Sequence, residues 1–244
     1  MKKIIASVFL LTIVFACKQK TKEVVEEAVT KNDSASESEW ISLFDGKTFN
    51  GWHIYNNGEV TNPWSIEDGA MVFNGRKGST EYNIVTDKEY TNFKLSIEWK
   101  ISEAGNSGIL WGVKEDKKYS HPYDTGPEIQ VLDNEKHPDA KINGKLHQAS
   151  SLYDMIAPSQ DVTKPVGEWN VCEIYINHKT NEGKAWLNGV LMVEFPVEGE
   201  KWETMVNNSK FKEWEGFGKF QTGKICLQDH ENKVSYRNIK IKEL

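Results

Sequence analysis

No block of lysine and arginine occurs anywhere in the 244 residues, and the formal charge is -6. That balance argues against a nucleic-acid partner, which needs a basic patch to neutralise phosphates. Cysteine is scarce, with three in the chain, and no Cys/His spacing matches a structural zinc site. No Ser/His/Asp or Cys/His nucleophile motif appears, so covalent catalysis of that kind has no signature. There is no internal repeat. Helical periodicity is nearly absent beyond residue 39. The exception is residues 200–211, where Trp202, Met205 and Val206 fit a turn or two of helix.

What is present begins with "MKKIIASVFLLTIVFAC". Two lysines precede an apolar run over residues 4–15, too short to span a bilayer unaided. Residues 1–16 are expected to be a signal peptide. Cys17 directly after "VFA" resembles a bacterial lipobox, with Cys17 as the lipidated mature N-terminus. Residues 18–38 are polar and lack aromatics, so residues 17–39 are expected to form a lipid-bearing flexible tether. The expectation is an exported lipoprotein, periplasmic or anchored at the outer membrane, touching membrane only through its lipid. Cys172 and Cys226 lie in apolar, strand-like runs. They either pair or serve as small hydrophobes.

From residue 40 onward strand signals repeat. In "FKLSIEWKIS", Phe93, Leu95, Ile97, Trp99 and Ile101 share one face, while Lys94, Ser96, Glu98 and Lys100 share the other. Asn188-Gly189 between two apolar runs predicts a tight hairpin, and Asp68-Gly69 predicts a shorter one. "GKICLQDHENKVSYRNIKIKEL" is expected to form another hairpin up to the C-terminus. Many short strands with Gly/Asn turns imply an all-β fold, a jelly-roll sandwich of two antiparallel sheets over residues 40–244. A curved sheet in such a fold offers a groove.

Groove residues must be polar at alternating strand positions. Glu98 meets that criterion, as do Glu128 with Gln130 in "GPEIQVLD", and Gln228 with His230 in "ICLQDH". Arg237 lies on the strand expected to pair beside them. Alternation alone favours a solvated sheet face. Two stretches add weight to a groove. "GNSG", containing Asn106, leads into the strand that carries Trp111. "GKLHQASSLYDMIAP" places His147 and Tyr153 in a long loop, and long ordered loops are usually functional. Trp52, Trp64 and Trp111 are candidate sugar platforms.

At these residues the chain resembles the bacterial 3-keto-disaccharide hydrolase domain family. The matching pieces run in order from "LFDGKTFNGWHI" through "IEWKIS", "GNSGILW", "GPEIQVLDNEKHPDAK", "SLYDMIAP", "GEWN" and "LNG" to "ICLQDHENKVSYRNIKIKEL". The resemblance implies a concanavalin A-like jelly roll and a 3-ketoglycoside substrate, cleaved by a hydrolase or by a metal-dependent lyase. Trp111 departs from the pattern, since many relatives are expected to carry arginine there.

A ketone at C3 acidifies the hydrogen on C2. Cleavage then needs a base near C2, positive charge near the C3 oxygen and a proton donor at the glycosidic oxygen. The residues offered for this chemistry are Glu128, His147, His230 and Arg237. Glu98, Asn106, Trp111, Gln130, Tyr153 and Gln228 are offered for substrate binding. Glu128 and His230 are the expected ligands of a divalent metal: Mn, Zn, Co or Ni for mixed donors, Ca or Mg for an all-oxygen set. An ordinary glycosidase would instead need two facing carboxylates, such as Glu98 and Glu128. A carbohydrate-binding module without catalysis is the alternative on the same fold.

Overall fold

The computed structural model describes residues 39–244. The expected signal peptide, Cys17 and most of the tether lie outside the described residues. In chain order the strands are β1 (Ile41–Ser42), β2 (Trp52–Ile54), β3 (Gly58–Glu59), β4 (Trp64–Glu67), β5 (Ala70–Asn74), β6 (Ile84–Thr86) and β7 (Phe93–Ile101). There follow β8 (Asn106–Val113), β9 (Glu128–Leu132), β10 (Asn170–Asn177), β11 (Glu182–Leu187), β12 (Val190–Phe195), the helix α1 (Gly199–Asn207), β13 (Lys224–Leu227) and β14 (Lys233–Glu243). One sheet has eight strands in the order β12-β11-β10-β7-β14-β5-β4, with β1 also on β14. The other has six, in the order β3-β2-β6-β13-β8-β9. Every pairing is antiparallel. This is the all-β, concanavalin A-like jelly-roll sandwich.

β7 shows why these residues form these strands. Its burial alternates without a break over nine residues, as a period of two requires when one sheet face packs and the other does not. Phe93, Leu95, Ile97, Trp99 and Ile101 join Phe73, Tyr236, Ile109 and Ile129 in the core between the sheets. Burying each such side chain stabilises the fold by about 1.5–3 kcal/mol relative to exposure. Asn188 and Gly189 join β11 to β12 with φ of 50° and 84°, the two left-handed values a type I′ turn needs. Asp68 and Gly69 do the same between β4 and β5, at 49° and 74°. The helix expected at residues 200–211 is α1, starting one residue earlier and ending at Asn207.

One strand assignment needs correction, and it matters for the site. β13 and β14 are not a hairpin. β13 pairs with β6 and β8 in the six-stranded sheet, whereas β14 pairs with β5, β7 and β1 in the other. The chain crosses between sheets over residues 228–232. Alternation cannot report such a crossing, because each strand keeps its own period. Cys172 on β10 and Cys226 on β13 consequently sit in different sheets, both buried and free. Trp52, Trp64 and Trp111 are core residues, each no more than 5% exposed, so none offers a platform to a sugar. Trp111 stacks on Phe195 of the opposite sheet.

Candidate active site

The site forms on the face of the six-stranded sheet turned away from the core. On β9, Ile129 and Val131 enter the core, which turns Glu128 and Gln130 outward together. The outward face is nonetheless covered. Residues 148–156 run beside β9: Gln130 N–H donates to Ser151 O, Ser150 N–H to Gln130 O and Tyr153 N–H to Glu128 O. The loop thus behaves as an added edge strand and fixes Tyr153 over β9. The resulting cavity, of about 310 Å³, brings Asn106, Glu128, Gln130, Tyr153, Gln228 and His230 together. Arg76, Glu81, Tyr123, Lys210, Trp214 and Asp229 are also in its walls.

Space for the Glu128 carboxyl comes from Gly108 in the middle of β8. A Cβ there would lie 1.9 Å from Glu128 Oε1, so no other residue fits without displacing the acid. "GNSG" was expected to be a shaped turn before the strand. In the structure β8 already begins at Asn106, and Gly108 within it is the seat of the carboxyl.

Among the described residues the Glu128 carboxyl has no hydrogen-bond or ion-pair partner. Burial pushes its pKa up to about 8, outweighing the favourable charge of Lys210, while the negative Asp139 adds to the rise. The buried Asn106 Oδ1 also lacks a hydrogen-bond partner. The Lys210 ammonium has no carboxylate partner among the described residues; it lies 4.2 Å from the centre of the Tyr153 ring and 5.2 Å from that of Phe211. Tyr153 donates to Asp139 Oδ2 at 3.0 Å. Burial, then the charges of Asp139 and Glu128, raise its pKa well above the ordinary phenol value, so it stays protonated. At the other end Arg76 Nε donates to Asp229 Oδ1 at 2.9 Å. Burial still lifts Asp229 to about 6, against the pull of Arg76. Buried polar groups are normally satisfied; a buried unpaired carboxyl and amide oxygen facing one cavity, with the exposed Lys210 ammonium in its wall, mark a place where a ligand supplies the partners.

Four expected site residues lie elsewhere. Arg237 and Glu98 are on the eight-stranded sheet and pair with each other, Arg237 Nε to Glu98 Oε2 at 2.8 Å. The crossing between β13 and β14 is what removes Arg237 from the site. It also removes the glycosidase pair, because Glu98 and Glu128 sit on different sheets and do not share the cavity. Trp111 points into the core. His147 does not line the cavity. It is held between Asp139 Oδ1 at 2.7 Å and Asp154 Oδ1 at 2.8 Å, with its ring stacked on Tyr153 at 4.3 Å. Asp154 Oδ2 also accepts from the Lys210 N–H at 2.7 Å. His147 therefore braces the two segments that present Tyr153 and Lys210.

The sequence reading missed Lys210, Trp214, Arg76, Tyr123 and Asp229. Lys210 and Trp214 follow α1 in irregular chain with no periodicity to betray them. Asp229 lies between Gln228 and His230, and alternation would turn it to the other face, but β13 ends at Leu227 and alternation stops there.

The expected metal ligands Glu128 and His230 both face the cavity. Among the described residues, however, no three His, Cys, Asp or Glu side chains come together as a metal site. Glu128 and His230 alone fall short of the three or more protein ligands that a resident divalent cation takes.

Residues 39–242 match the family described as a 3-keto-alpha-glucoside-1,2-lyase-like domain. A curated relative from Bacteroides thetaiotaomicron, named 3-keto-disaccharide hydrolase, is 37% identical over 229 residues, covering 84% of this chain and 78% of its own. A crystal structure of a candidate glycosyl hydrolase from Parabacteroides distasonis superposes with a TM-score of 0.77 at 36% identity, covering 84% of this chain and 94% of that one. A second from the same organism gives 0.61 at 25% identity, covering 84% and 100%. With its fold, its cavity and these matches taken together, the chain belongs to the 3-keto-alpha-glucoside-1,2-lyase-like family.

Proposed function

We propose that the chain cleaves 3-ketoglycosides by taking a proton from C2 and eliminating the group on C1. Family membership supports the broader statement, a carbohydrate-active enzyme. The observation that carries the finer one is the buried, unpartnered Glu128 beside an ammonium without an ion pair. A carboxyl that keeps its proton near neutrality is suited to donate it to the departing glycosidic oxygen. The Lys210 ammonium is suited to hold the C3 oxygen as it becomes an enolate. His230 lines the same cavity and is assigned as the base at C2.

The step balances without an outside oxidant, because the substrate brings its own ketone. The C2–H bond breaks, and its electrons form the C2=C3 enolate. They then form C1=C2 as the C1–O bond breaks and Glu128 protonates the leaving oxygen. Later addition of water to the unsaturated product gives net hydrolysis. Gln130, Gln228 and Asn106 orient the ring through its hydroxyls, and the Tyr153 oxygen, whose own proton goes to Asp139, accepts from a hydroxyl on the loop side.

The test is cleavage of a 3-keto-glucoside and its unoxidised parent in heavy water. The expected result is cleavage of the ketone alone, with deuterium at C2 of recovered substrate or hydrated product. Efficient cleavage of the unoxidised glucoside without exchange at C2 would overturn the reading.

A further inference from the structure

A second cavity, of about 490 Å³, borders the first, with Trp214 in the wall of both. Its apolar walls are Trp202, Phe217, Val197 and Val206. The Trp202 N–H is already satisfied by Gly218 O at 3.1 Å, so Trp202 contributes ring surface and no free donor. Gly218 permits that ring to sit close: a Cβ there would lie 2.5 Å from it.

One group in this wall is not satisfied. The His178 side chain is nine-tenths buried, and among the described residues neither ring nitrogen has a hydrogen-bond partner. Glu198 Oε2 stands 3.5 Å from Nδ1 without the alignment of a bond. Burial pushes the imidazole pKa below its ordinary value, which leaves the neutral ring with one N–H donor and one bare acceptor. A hydroxyl group is both acceptor and donor and matches either nitrogen. A purely apolar ligand satisfies neither. An anion offers no donor to the bare nitrogen, and because Lys212 and Lys219 balance Glu198 and Glu203 in the same wall, no net charge draws one in. Aromatic walls suit the C–H face of a sugar ring, and the more polar Asn207 and Gln221 suit its other hydroxyls.

We infer that this cavity is a second sugar-binding site, which takes a neutral pyranose ring and is separated by Trp214 from the cavity that holds the reacting ring. The ring has two sources: the departing sugar of a 3-keto-disaccharide, which rests on the proposed function, or a separate saccharide, which does not.

The experiment titrates the full chain with glucose, observed by saturation-transfer NMR. Three variants are compared with the parent: His178→Ala, Asn207→Trp and Glu128→Gln. Asn207 is an exposed residue at the end of α1, so N207W obstructs the cavity without touching the core. The expected result is glucose binding that weakens at least ~10-fold in H178A and N207W and is unchanged in E128Q; ~10-fold corresponds to about 1.4 kcal/mol. Absence of binding to the parent chain, binding that survives both cavity variants, or loss reproduced by E128Q would overturn the site.

A kinetic arm separates the sources. If the departing sugar occupies the cavity, H178A raises KM about tenfold for a 3-keto-glucoside with a glucosyl leaving group and leaves KM for the methyl glycoside unchanged. If a separate saccharide does, both KM values stay put while glucose binding falls. Should neither ketone be cleaved by the parent chain, the proposed function fails and the glucose titration still decides the site.

Discussion

Glu98 and Glu128 occupy equivalent positions by pattern, each a carboxylate on the alternating polar face of a strand, yet the two faces treat them oppositely. On the eight-stranded sheet Glu98 receives Arg237 Nε at 2.8 Å and Asn238 Nδ2 at 2.7 Å. Partial burial pushes its pKa up, but these two bonds and the Arg237 charge outweigh it and hold the carboxyl below its usual range. On the six-stranded sheet a covering loop buries Glu128 without supplying a partner, and its pKa climbs to about 8. A carboxylate whose bonds are complete is part of the architecture. One denied its bonds is held ready for something that arrives later.

The sharpest way to break this contrast is to make the same substitution on both sheets. Glu128→Gln keeps shape and removes the transferable proton. The expected outcome is a fall in kcat of ~10²–10⁴-fold, the usual worth of positioned acid–base help, with the β-rich circular dichroism spectrum unchanged. Lys210→Met comes next. Loss of one donor to a developing oxyanion costs ~10²–10³-fold in kcat, and steady-state rates on the 3-keto-glucoside measure it. Gly108→Ala leaves every polar group in place but drives a methyl into the Glu128 carboxyl. A displacement of the order of 1 Å is expected to cost roughly 10²-fold. Full activity in G108A would mean that the seat of Glu128 has no bearing on rate.

The pH response separates the two acids by sign. As a proton donor Glu128 must be protonated, so kcat/KM is expected to fall above about pH 8. Its folded pKa exceeds that of the unfolded chain, so between the ordinary carboxyl value of 4.5 and about 8 the folded state binds more protons. Stability from this group is therefore lost as pH rises through that window and stays low above it. Glu128→Gln removes the loss, and the variant is expected to melt higher than the parent at pH 9, by about 2–4 °C for each kcal/mol recovered. Glu98 has the opposite sign. Its contribution is present above the unfolded pKa and disappears as pH falls through its lowered folded pKa, so Glu98→Gln narrows the gap to the parent in acid. Melting curves of E128Q and E98Q at pH 4 and 9 check both signs.

How much of this was legible follows from where periodicity applies. β7, the Asn188-Gly189 turn and the Glu128/Gln130 face were readable because a two-residue period and a type I′ turn are local constraints. The sheet to which a strand belongs is not local. β13 and β14 each carried the right alternation, and only the crossing at residues 228–232 decided that Gln228 faces the cavity while Arg237 does not. Lys210 and Trp214 come from irregular chain after α1, where position is set by packing of Phe211, Trp214 and Phe217 against one another. His147 was legible as important but not in its role, since a histidine clasped by Asp139 and Asp154 has the same letter as one facing substrate.

The smallest effect belongs to the outer pair, and it is informative because it is small. Arg237 stacks on Trp169, its guanidinium carbon 4.1 Å from the ring centre, as well as holding Glu98. Both side chains retain solvent contact, at 37% and 21% exposure, where an ion pair is worth ~0.2–1 kcal/mol. Glu98→Gln is therefore expected to lower stability by no more than about 1 kcal/mol and to leave kcat and KM within about twofold. Arg237→Ala loses the stacking contact too and should destabilise slightly more than E98Q, again without a kinetic effect. Urea unfolding and steady-state rates on the same preparations measure both. A hundredfold loss of kcat in R237A would show that the outer sheet communicates with the cavity through the core, and the division between a completed carboxylate and a waiting one would have to be redrawn.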